Sequence, residues 1–251
     1  MNYGLWMSAA GLSTEVHRQD IIANNVANAE TAGFKADTAF TTERPAPTQD
    51  LGLATPSAEM LTRLGGGVLA NQTMTNYDQG SMVDGGPLDL ALDGEGFFMI
   101  RDGDSTAYTR DGRFKRDRDG FLVDIDGRPV LNERQRPIQL GEGEVQIATD
   151  GTVSVKVDGL LEEVTRLGVA APPQDVLRKS GDNLFQVPEG TKVDAAKDPR
   201  VNQGRYETSN VDPIQSMSEL IQSSRSVQAA ARFIDFHDRM MELAVTRIAV
   251  G

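Results

Sequence analysis

The sequence predicts an α+β fold: a discontinuous, coiled-coil-like helical domain built from both termini, with an all-β domain inserted between them. Three observations predict it. Apolar residues recur at 3.5-residue spacing at both ends of the chain. The middle alternates apolar with small or polar residues. Asp-Gly pairs punctuate that middle at 84, 93, 102, 111, 119, 126, 150 and 158.

The N-terminal seam runs through Leu5, Ala9, Leu12, Val16, Gln19, Ala23 and Val26, with Gln19 as its one polar step. It breaks at Thr31-Ala32-Gly33, where Gly33 is expected as the left-handed residue after the helix. Residues 1–40 are thus one half of the terminal domain. Residues 41–67 lack any period, carry Pro45 and Pro47, and close on Gly65-Gly66-Gly67. They read as a linker or excursion, with room for a short helix at 57–64.

Residues 68–203 read as β. Leu88–Leu92, Phe97–Ile100, Phe121–Ile125 and Val153–Val157 are the clearest strands. Asp-Gly suits the tight turns between them, because it accepts positive φ.

Residues 204–251 are the C-terminal half of the terminal domain. Asp212 is placed to cap a helix, Pro213 suits its first position, and Gln215 sits where a capping box needs it. The seam then follows Met217, Leu220, Ser224, Val227, Ala231, Ile234, Asp238, Met241, Val245 and Ile248. A helix from 212 to 250 would be roughly 55 Å long at ~1.5 Å per residue. Arg225, Arg232 and Arg239 share one heptad position beside it. Both seams are narrow and lie at the chain ends, so the end helices are expected to pair with each other or with the ends of other subunits. The polar seam positions Gln19, Ser224 and Asp238 weaken an isolated pair and can fix its register.

Composition narrows the function classes. A net charge of −12 over 251 residues opposes nucleic-acid binding, which needs a basic face. The chain has no cysteine, so thiol and disulfide chemistry is excluded. No run approaches the roughly 18 apolar residues of a membrane span. Met1–Trp6 shows neither a basic region nor an apolar core, so a cleaved secretory signal is not expected.

Motifs for chemistry fail on inspection. An EF-hand loop turning at Gly120 or Gly127 would put Lys115 or Leu122 at its first ligand position, and neither coordinates calcium. Gly94-Glu95-Gly96 has Met99 where a dinucleotide loop needs its third glycine, and it precedes a strand. His17 and His237 lie on the predicted end helices. No catalytic, cofactor-binding or metal-binding residue is assigned, and no cofactor is expected.

Four stretches carry a family resemblance. Asp20–Lys35, with Asn24, Asn25, Asn28, Gly33 and Phe34, resembles the N-terminal motif of flagellar rod, hook and hook-associated proteins. Gly204–Asp212, with Ser209 and Asn210, is similar to the stretch that opens their C-terminal helix. Leu88–Phe98 and Tyr108–Phe114 resemble two internal blocks of the same family. Tyr206 departs from the usual leucine, and Ser224–Ala229 lacks the usual aromatic.

The resemblance implies a structural subunit of the bacterial flagellar basal-body rod, with terminal helices that polymerise into an axial tube. It implies other copies of this chain, related rod and hook subunits and the flagellar export apparatus as partners, and a periplasmic location. The single β domain and the 41–67 excursion look like a rod protein and not a hook protein. Asn24, Asn25 and Asn28 have two readings: helix-end residues, or hydrogen-bond donors to neighbouring subunits. Without the motifs, the same residues also suit a binding module on a helical stalk that has no need to self-assemble.

Overall fold

The structure is a computed structural model that describes residues 3–43, 68–70, 73–157 and 160–249. The 44–67 part of the excursion, with its proposed short helix and its glycine triplet, lies outside the described residues. The chain divides into two compact units, each built from separated segments. One comprises Met1–Ala27, Ala36–Asn76 and Asp212–Gly251; the other comprises Asn28–Lys35 and Tyr77–Val211.

In the first unit, helix α1 (Tyr3–Ala27) packs along helix α2 (Pro213–Ala249). The α+β class predicted from the two seams and the alternating middle is the fold observed. At 37 residues and ~1.5 Å per residue, α2 is about 55 Å long. Its start follows the sequence signals. The Asp212 carboxylate accepts the N–H groups of Ile214 (2.9 Å) and Gln215 (3.1 Å), two donors that a helix start leaves unpaired. The Gln215 side chain donates through Nε2 to Glu219 (3.0 Å), one turn on. Two short antiparallel pairs finish this unit: Thr41–Glu43 with Val68–Ala70, and Asp37–Thr38 with Met74–Thr75.

The second unit is β. Its largest sheet has six antiparallel strands in the order Arg178–Gly181, Leu184–Gln186, Ser105–Thr109, Phe97–Asp102, Val169–Ala171 and Asp194–Ala195. Phe97–Asp102 is a central strand with both faces covered. Phe98 and Ile100 enter one apolar cluster, with Leu90, Leu122, Ile138 and Val153. Phe97 and Met99 enter another, with Tyr108, Leu131 and Phe185. This two-sided burial is why the segment is a continuous apolar run and does not alternate. A three-stranded sheet, Glu144–Ile147, Thr152–Val157 and Leu160–Arg166, stands beside it in sequence.

The Asp-Gly pairs do two jobs. Gly94, Gly103, Gly120, Gly127 and Gly151 take positive φ in turns, as expected. Gly85 and Gly112 do not. Gly112 instead lets the chain pass against the Leu90 carbonyl, where a β-carbon would collide. Gly159 lies outside the described residues.

Candidate functional site

The N-terminal and C-terminal motifs meet in one buried cluster, all of it within the β unit. The Gly33 N–H donates to the Glu207 carbonyl (2.8 Å), and the Asn210 N–H donates to the Phe34 carbonyl (3.3 Å). Beneath this backbone link lies a charged clasp. Lys35 Nζ donates to Glu207 Oε1 (2.6 Å) and to the Asp78 carbonyl (2.7 Å). Arg110 Nη1 donates to Glu207 Oε2 (3.1 Å), and the Gly80 N–H donates to Oε1 (2.8 Å). The side chains of Lys35 and Glu207 are each 1% exposed, and that of Arg110 is 5% exposed. One carboxylate therefore serves two cations in the interior. Burial pulls Lys35 below its ordinary pKa of 10.5 and Arg110 below its usual value, while Glu207 opposes both.

The clasp is closed on its outer sides. Lys179 Nζ sits 4.3 Å from the centre of the Phe34 ring and donates to the Lys35 carbonyl (2.6 Å). Asn183 Nδ2 donates to the Ala32 carbonyl (2.5 Å). Asn210 Nδ2 donates to the Asp78 carbonyl (3.0 Å), the oxygen that Lys35 also uses. Ser209 is buried, and its hydroxyl accepts the Val211 N–H (3.2 Å). Gly33 takes φ of 68°, but the reason differs from the one expected. Helix α1 ends at Ala27, so Gly33 is not its cap. A β-carbon on Gly33 would strike the backbone of Arg110 and Asp111.

The asparagines separate. Asn25 is buried in the helical unit and grips the backbone of Asp37 with both ends of its amide. Its Nδ2 donates to the Asp37 carbonyl (2.7 Å), and its Oδ1 accepts the Asp37 N–H (2.9 Å). Asn28 Oδ1 accepts the Thr31 hydroxyl (3.2 Å). Asn24 is exposed.

The seam residues also separate. On α2, Ser216, Leu220, Ser223, Val227, Ala230, Ile234 and His237 form a sheltered line at alternating four- and three-residue steps. Ser223 is its most buried member and donates to the Glu15 carbonyl of α1 (3.4 Å). Within the chain, this line shares Leu220, Val227 and Ile234 with the seam read from sequence. Elsewhere it steps one residue earlier, to Ser216, Ser223, Ala230 and His237. Met217, Ala231, Met241 and Val245 are exposed. On α1, Leu12 and Val26 are half-buried, whereas Ala9, Val16 and Ala23 are exposed. The buried positions of α1 are Thr14, Ile22 and Asn25. The side chains of Leu5 and Ile248 lie outside those described.

Two aspartates and an asparagine of the turn-rich stretch accept backbone N–H groups of their own turns. Asp117 Oδ1 accepts the N–H groups of Asp119 and Phe121, Asp124 Oδ1 those of Asp126 and Arg128, and Asn132 Oδ1 those of Arg134 and Arg136. The same i+2 and i+4 pattern repeats three times. It gives Asp117, Asp124 and Asn132 a structural use in their turns.

Comparison with known proteins places this geometry. Residues 7–35 match the family model described as flagella basal body rod protein. Residues 91–155 match the flagellar hook protein FlgE/F/G D1 domain, and residues 202–247 match the C-terminal part of flagellar basal body rod FlgEFG proteins. The chain is 32% identical over 256 residues to the flagellar basal-body rod protein FlgF of Caulobacter vibrioides, covering 99% of this chain and 98% of that protein. The chain belongs to the flagellar basal-body rod protein family. It is also 32% identical to the rod protein FlgG of Buchnera aphidicola (95% and 96% covered) and 31% identical to FlgF of Escherichia coli (95% of each). Each family segment supplies one charge to the clasp: Lys35 from the first, Arg110 from the second and Glu207 from the third. All three lie inside the stretches that carry the family resemblance, and none is among the site residues that the sequence assigns.

Proposed function

We propose that this structural rod subunit enters the flagellar axis through its terminal helices, by a head-to-tail contact that does not close on itself and so extends a helical tube. The observation that carries this reading is the apolar surface left on α2. Ile214, Met217, Ile221, Phe233, Phe236, Met240 and Leu243 are each more than half exposed. Exposed apolar residues in that number on one helix mark a protein contact. In this reading, segments 1–40 and 204–251 assemble, 41–67 is an excursion, and 68–203 forms an outer shell. The partners are other copies of the chain and related rod and hook subunits. The flagellar export apparatus delivers it to the periplasmic rod. The chain catalyses no reaction, takes no cofactor and, at a net charge of −12, binds no nucleic acid.

The test is incorporation. Phe236→Asp or Met240→Asp is introduced in flagellated cells lacking the wild-type chain, and purified basal bodies are probed for the protein. Both variants should be missing from the rod and motility lost, while the purified variants keep the β-sheet signal of the second unit. Normal motility with either variant would overturn the role of the helices. Absence of the wild-type chain from purified basal bodies would overturn the placement in the rod.

A further inference from the structure

The two helices carry, besides the faces that hold them together, two outward faces of opposite character. On α1, Ala9, Ser13, Val16, Asp20, Ala23 and Ala27 are all exposed and follow one another at alternating four- and three-residue steps. At ~100° per residue they fall within an arc of about 80°. The line is shallow, since five of its six members are small or β-branched, and its one charge is acidic. On α2, Phe233, Phe236, Met240 and Leu243 follow the same alternation and are 54–62% exposed. They form a row of large apolar knobs, flanked on one side by the exposed guanidinium groups of Arg225, Arg232 and Arg239.

We propose that the knob row of α2 seats in the small-residue line of α1 of a second copy of this chain, with Asp20 of that copy meeting the arginine edge. This deepens the assembly reading and rests on it. Shape supports the pairing, because large side chains at heptad spacing fit holes between small ones at the same spacing. Charge supports it too: the sole charge on the receiving line opposes the arginine stripe beside the knobs. The faces are different, so the contact is heterologous. Each subunit offers one of each, and the chain of contacts propagates instead of closing in a pair.

The cysteine-free sequence makes the test clean. Two single-cysteine copies are expressed together in cells lacking the wild-type chain. One carries Ala9→Cys, Val16→Cys or Ala23→Cys; the other carries Phe236→Cys or Leu243→Cys. Basal bodies are purified, oxidised, and analysed by mass spectrometry for the joined peptides. At least one mixed pair should yield a covalent dimer at ten-fold or more the level of an Arg18→Cys control on another face of α1. Rods that contain both copies but give no mixed dimer above that control overturn the proposal while leaving the rod placement standing. So does a disulfide trapped on a different rod protein. Should a cysteine variant fail to incorporate, Asp20→Arg is paired with Arg232→Asp. Each alone should lower motility and the two together restore it; no restoration overturns the proposal.

Discussion

Lys35 Nζ lies 2.6 Å from Glu207 Oε1, though 172 positions separate the two residues in the chain. This pair joins the stretch that follows the first helix to the strand that precedes the last one. Arg110 shares the same carboxylate, so the removal of different members has unequal consequences. Glu207→Gln strands two buried cations and should cost about 3–5 kcal/mol of stability. Lys35→Met leaves a one-to-one pair of Glu207 with Arg110 and should cost less, about 1–3 kcal/mol, mainly through lost hydrogen bonds. Urea unfolding of both variants, followed through the β unit, checks the order. Equal losses would mean that the carboxylate is not the hub.

The clasp should also leave a mark on the pH dependence of stability. Burial lowers the pKa of Lys35 from 10.5, so the folded chain holds this proton less tightly than the unfolded chain does. Between the lowered value and 10.5, the unfolded state binds more protons, and stability rises with pH across that window. Below it, the cost of burying the ammonium is felt in full. Lys35→Met lacks this titration. The stability difference between wild type and Lys35→Met should therefore move in favour of wild type as pH climbs toward 10.5. Parallel unfolding midpoints measured from pH 7 to 10.5 check the sign. A gap closing in the variant's favour would show that the attraction of Glu207 outweighs burial.

How much of this was legible in the sequence depends on the range of the interaction involved. Asp212, Pro213 and the seams act over a few residues, and the start of α2 and the α+β class could be read from them. Turn glycines such as Gly103 and Gly120 were legible for the same reason. Gly33 and Gly112 were not, because what requires a glycine there is a backbone segment far along the chain: Arg110 for one and Leu90 for the other. The line sheltered within the chain on α2 runs one residue before the seam read from the sequence at alternate steps. Periodicity shows that a helix has an apolar line, but it does not choose between adjacent residues of one type: Ser223 is buried and Ser224 is only half-buried. The clasp was hidden for a third reason. A lone Lys or Glu reads as solvated surface, and only the fold brings Lys35, Arg110 and Glu207 out of water together.

Gly33 gives a direct test of the close approach. Gly33→Ala places a β-carbon against the backbone of Arg110 and asks an L-residue to hold φ of 68°. Positive φ alone costs such a residue about 1–3 kcal/mol, and the backbone clash adds to it. Gly103→Ala should cost less, since Gly103 also has positive φ but its β-carbon would meet open space. Thermal unfolding of the two variants isolates the clash. Equal melting temperatures would remove the role given to the Arg110 crossing.

Asn25 provides the last test, because its amide both gives and accepts a hydrogen bond with Asp37. Asn25→Ala removes both bonds and should cost about 1–3 kcal/mol. Asn25→Asp is nearly isosteric and keeps the acceptor for the Asp37 N–H. It replaces the donor with a second acceptor facing the Asp37 carbonyl, and adds a charge near the Asp37 carboxylate. At pH 7 the aspartate variant should be no more stable than the alanine one. Protonation restores a donor, so the aspartate variant should recover relative to alanine as pH falls toward the ordinary carboxylate value of about 4. Unfolding midpoints at pH 7 and pH 4, with exchange of the Asp37 amide as a local probe, measure this crossover. A difference between the two variants that stays fixed with pH would show that Asn25 acts by packing and not by its donor.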